Sequence, residues 1–187
     1  MRPLLALPVL LSVVACGSSK LDKSTAEKLI KPDYPAVVRV KVPQTATVEK
    51  GSDKQQRVLK INELLNKEGW FDIKVEEKDT KVRYTYHLNA KAPKSVKPGL
   101  DNFEVPAATA EFLSATHMEP LDPRQKNSGL KVTFLVKLTK PTNQWGLYEF
   151  LHPEAKLGQP TERHALIERK GGAWELMKTD ETARIKE

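Results

Sequence analysis

Apolar and polar residues alternate at two periods along this chain, and the period predicts the element. Residues 22–32, DKSTAEKLIKP, place Ala26, Leu29 and Ile30 at helical spacing behind a capping Ser24 or Thr25, and Pro32 stops the helix. AVVRVKVP, 36–43, is β-branched and bounded by prolines, a strand. In residues 51–70 Val58, Ile61, Leu64 and Leu65 mark a second helix, with Ser52 or Asp53 as cap and Gly69 where a left-handed stop belongs. Period two follows: Phe71, Ile73 and Val75, then Val82, Tyr84, Tyr86 and Leu88, across a polar turn at Lys78 and Asp79, which predicts a hairpin with one buried face.

KAPKSVKPG, 91–99, concentrates prolines and lysines and reads as a linker. Beyond it, 103–118 contains a strand and 119–129 a polar loop. LKVTFLVKL is the strongest strand of the chain, with Leu130, Val132, Phe134, Val136 and Leu138 facing one way and Lys131, Thr133 and Lys137 the other. Residues 142–153 predict one short helix ending before Pro153. Residues 161–178 predict two strands around Gly171 and Gly172, with Trp174 in the core. The fold class expected is therefore α+β. Residues 24–90 form a helix-strand-helix-hairpin unit whose topology resembles a winged helix, and 100–187 form a mainly antiparallel β subdomain after the 91–99 linker. Lys54, Gln55, Gln56, Arg57 and Lys60 populate the polar face of the second helix, which is what any solvated amphipathic helix shows, so no nucleic-acid interface is assigned to them.

The first residues follow different rules. Arg2 precedes an apolar stretch, Leu4 to Ala15, too short for a membrane span of about 20 residues and matching an export signal. The stretch runs into Val13-Val14-Ala15-Cys16, with the only cysteine of the chain. This resembles the lipobox of bacterial lipoproteins, with Val13 in place of the commoner leucine. The resemblance implies that residues 1–15 are a cleaved signal and that Cys16 carries a thioether-linked diacylglycerol, its new amino terminus commonly acylated with fatty acid such as palmitate. Residues 16–23 then form a lipidated tether. A thiolate is the stronger nucleophile at neutral pH, and each buried methylene adds roughly 0.8 kcal/mol of membrane affinity, so two or three chains hold firmly. A disulfide is set aside, since no second cysteine exists. The class rule for sorting implies, with Gly17 after the cysteine, the periplasmic face of the outer membrane if the cell has two membranes. The Ala173-Trp174 strand also resembles the closing strand of uncharacterised envelope lipoproteins, a likeness of pattern that implies no activity.

Composition narrows the rest. At 39% hydrophobic and 29% charged residues the chain should fold, neither disordered nor a membrane bundle. The net charge of +7 is spread among acids, not gathered in a block, and an exported protein meets little nucleic acid, so none is expected as a partner. No H-E-x-x-H, G-x-S-x-G, phosphate-binding glycine loop or S-x-x-K stands in the chain, and no catalytic residue is assigned. His87, His117, His152 and His164 lie far apart without metal-ligand spacing, so no metal and no cofactor beyond the lipid on Cys16 is expected. Trp145, Tyr148 and Phe150 on the short helix are the candidates for docking a partner if exposed, and core residues otherwise. The function these residues imply is a membrane-anchored envelope lipoprotein with a noncatalytic binding or structural role toward an envelope protein. The alternative is a cell-envelope hydrolase whose site is assembled from distant residues.

Overall fold

The computed structural model describes residues 20–122, 124 and 128–182. Cys16 and residues 1–15, where the sequence leads one to expect a signal, lie outside them. The first helix, α1 (Lys23–Ile30), is capped by Asp22 rather than by Ser24 or Thr25: the Asp22 carboxylate accepts from the Thr25 backbone N–H at 2.7 Å, which together with the Thr25 side chain holds it below the usual carboxylate range. A 3₁₀ turn, Lys31–Asp33, leads into strand β1 (Ala36–Pro43), whose Ala36, Val38, Val40 and Val42 are all buried. Strand β2 (Thr45–Glu49) follows, then α2 (Asp53–Asn66), capped by Ser52 and ended by Gly69 at φ +62°. The hairpin forms as β3 (Phe71–Lys78) and β4 (Lys81–Leu88). The second half supplies β5 (Lys97–Pro98), β6 (Asn102–Pro120), β7 (Gly129–Thr139), α3 (Trp145–Leu151), β8 (Pro160–Lys170) and β9 (Ala173–Thr179). Gly171 and Gly172 turn β8 into β9 at positive φ, as the sequence requires.

The assembly overturns the α+β expectation. Among the described residues 50% lie in strands and 20% in helices, and helix, strand, helix and hairpin do not form a winged-helix-like unit. β1 leaves the hairpin and pairs antiparallel with β6, Val40 opposite Val105 and Val42 opposite Phe103, so it is an edge of a curled six-stranded sheet, β1-β6-β7-β8-β9 with β5 beside β6. The hairpin instead pairs through β4 with β2, which the sequence reading passed over, in a separate sheet β2-β4-β3. Burial is the physical reason. Four apolar residues on one face of β1 need a broad apolar layer, and the nineteen-residue β6 offers one with Phe103, Val105 and Ala107. Gln44 is the pivot between the sheets: its N–H donates to Asp101 and its carbonyl accepts from Tyr86, both at 2.9 Å.

Four small residues on β6, Ala107, Ala108, Ala110 and Ala115, are buried, and both α1 and α3 pack against this strand. β6 slips register twice against β7, at Phe112/Ser114 and Ala115/His117, and such bulges add to the bend of a long strand. The inward row predicted for β7 is buried without exception, and Phe134 sits under the rings of Tyr34 and Phe112 at 5.6 and 5.8 Å. Trp174 is half-buried at the rim of this core. No helix among the described residues is long and apolar enough to cross a membrane.

Candidate functional site

The predicted docking residues separate in the fold. Tyr148 is buried on the sheet side of α3, with His152 stacked on its ring at 4.6 Å. Trp145 is half-buried and lies against Tyr148, ring centroids 5.3 Å apart. Phe150 is exposed, and the Arg57 guanidinium of α2 stands 5.8 Å from its ring centre, a cation–π contact that couples the two helices. Trp145 and Phe150 thus reach the surface from a helix that Tyr148 and Leu147 hold to the core.

The most buried polar cluster was not singled out by sequence. Arg163 on β8 lies opposite Phe134 on the inner face and donates through Nε to Glu181, through a terminal nitrogen to the Tyr148 hydroxyl at 2.8 Å, and is almost fully enclosed. The Tyr34 hydroxyl donates to the other Glu181 oxygen, and Thr182 donates to Asp33 at 2.8 Å. Burial first, and the charge of Glu181 second, push the Tyr34 phenol far above its ordinary value, so it stays a donor. Burial also raises Tyr148, against the pull of Arg163. Burial opposes the charge on Arg163, but the Tyr148 oxygen and Glu181 outweigh it and hold the guanidinium above its usual value. The four groups tie α3, β8, the corner before β1 and the chain after β9 into one clamp. Such a pair is costly to break, because removing one partner strands the other charge in a dry interior. A signal for it existed: Arg163 shares the inward alternation of β8 with Ala165 and Ile167, and a charge on an apolar face demands a partner.

The histidines do not converge. His152 stands 3.5 Å from Glu154, the neighbouring Glu149 pairs with Lys156, and His164 lies 3.5 Å from Asp180, whose carboxylate also accepts from the His164 backbone N–H. His87 faces out from β4 and His117 from β6. Among the described residues no three of His, Cys, Asp or Glu stand close enough to share a metal ion. The concave features are shallow. One of about 510 Å³ lies on the polar face of the smaller sheet, between Thr47, Glu76, Lys78, Lys81 and Arg83. Another of about 210 Å³ lies beside His164, Lys178 and Asp180. On the opposite face of the smaller sheet, Tyr86 donates to Asn62 of α2 at 2.7 Å, and burial, with Tyr84 nearby, pushes its phenol up to about 12. Compared with known families, known proteins and solved structures, the chain matches none.

Proposed function

We propose that this chain is an exported lipoprotein, anchored to a bilayer through acyl chains on Cys16, whose folded body has a noncatalytic binding or structural role in the cell envelope. The observation that carries it is the run Val13-Val14-Ala15-Cys16 at the end of an apolar stretch that begins just after Arg2. The body supports the noncatalytic part: its enclosed ionic groups are spent on each other in the Arg163 clamp, where they join elements instead of facing a cleft. The outward rim of α3, Trp145 and Phe150, is the surface we assign to a protein partner, since half-exposed aromatics on a rigid helix provide contact area at low entropic cost.

Labelled palmitate fed to expressing cells tests the anchor. Label should enter the wild-type protein and remain with it in the membrane fraction. Cys16→Ser should take up no label, keep its full unprocessed length and lose stable acyl anchoring. Unlabelled wild-type protein, or a serine variant processed and labelled like it, would sink the proposal.

A further inference from the structure

The anchor reading leaves open which side of the body meets the lipid, and the path of α1 decides it. The C-terminal side of α1 is fastened where the chain leaves β9, through Asp33 to Thr182 and Tyr34 to Glu181. α1 itself packs along β9 and β6, and its Glu27 accepts from the Ala115 backbone N–H at 2.9 Å. Tyr34, farther on, lies against Phe112, so the chain moves down β6 as it passes through α1. Followed backward, it therefore emerges at the end of the large sheet where β6 finishes at Pro120, β7 begins at Gly129 and Gly171 and Gly172 turn β8 into β9.

Leu21 is only 3% exposed, so the body begins there. Five residue steps separate it from Cys16, and they span at most about 18 Å even when fully extended. β6, by contrast, has nineteen residues and a contour of about 60 Å, and its other end carries β5 and the contact to the smaller sheet through Phe103 and Phe71. A tether this short holds the α1-entry end at the lipid and leaves the other end in solution.

The chemistry of that end agrees. Lys20, Lys23, Arg124 and Arg169 are exposed there. Of the acids at that end, Glu119 pairs with Lys131 at 3.4 Å and Glu168 with Lys170 at 3.7 Å, while Asp22, Asp122 and Glu175 keep their charge, which leaves a small basic excess among the described residues there. Leu121 projects 45% exposed and lies beside Gly129, where an added Cβ would stand 2.8 Å from the Leu121 Cδ1 methyl. Basic residues held within a Debye length of an anionic surface add attraction to the anchor. We infer that the end of the large sheet formed by Leu121, the β8–β9 turn and the entry to α1 rests on the anionic headgroups of the bilayer that holds Cys16. This rests on the lipoprotein reading above.

Single cysteines at the two ends of β6 test it, in acylated protein whose own Cys16 thiol is blocked by lipid. Leu121→Cys and Lys23→Cys report the near end, and Leu100→Cys, at a side chain 98% exposed just before β6, reports the far end. Each carries a fluorophore and is placed in vesicles of phosphatidylethanolamine and phosphatidylglycerol doped with a headgroup quencher. Quenching at residues 121 and 23 should be several times that at residue 100. Equal quenching, or the reverse order, with the diacylglyceryl adduct on Cys16 seen by mass, overturns the docking while leaving the anchor intact. Absence of the adduct overturns both.

Discussion

Gln144 is the residue whose local chemistry is least satisfied. Its backbone opens α3, accepting from Leu147 and Tyr148, yet its side chain is 1% exposed and both amide atoms lack a protein partner. Desolvating an unpaired amide costs roughly 1–3 kcal/mol, whereas an apolar side chain of the same length gains from the same burial. Gln144→Met should therefore raise stability by about 1 kcal/mol, read as a higher urea midpoint at unchanged slope. A lower midpoint would show that the amide is satisfied and the account wrong. The contrast with Arg163 is instructive, because that side chain is also enclosed but fully partnered, by Glu181 and Tyr148. Sequence shows both as polar residues near apolar runs, and only their neighbours distinguish a clamp from a liability.

At the scale of elements, periodicity was a good guide. α2 starts where Ser52 predicts it: the hydroxyl accepts from the Gln55 N–H at 3.2 Å, and the Gln55 side chain returns to the Gly51 N–H, a reciprocal cap. Ser52→Ala should cost about 1 kcal/mol, visible as a lower melting temperature, and an unchanged melt would mean that the cap adds nothing to the stability that packing gives α2. The β3–β4 hairpin, β7 and the β8–β9 turn also stand where alternation and glycine place them. β2 was missed because Thr45-Ala46-Thr47-Val48-Glu49 carries one strong apolar residue, and its strand state comes from the β4 backbone beside it, Ala46 opposite Tyr84 and Val48 opposite Val82. The cap of α1 was missed for a smaller reason: Asp22, Ser24 and Thr25 are all capping residues, and only backbone geometry chooses among them.

At the scale of the whole molecule, β1 makes the large sheet depend on residues far back in the chain. Residues 91–187 alone would lack β1, the α1 cover over β6 and β9, and Tyr34 in the clamp. Expressed by themselves they should show no cooperative thermal transition, whereas residues 20–187 should melt in one step; a cooperative melt from the short piece would establish the 91–99 segment as a true boundary between folding units. The sequence by itself determined the three α-helices and, β2 aside, most of the strands, the inward side of β4 and β7 though not of β3, whose Val75 is exposed, and that Cys16 stands at the end of an export-like stretch. It did not determine which strand lies beside which, that β1 belongs to the larger sheet, or that Tyr34, Tyr148, Arg163 and Glu181 meet. Alternation records that a face is buried but not against what, and backbone hydrogen bonds pair strands without regard to side chain, so the choice fell to the arrangement that buries the most apolar surface at once.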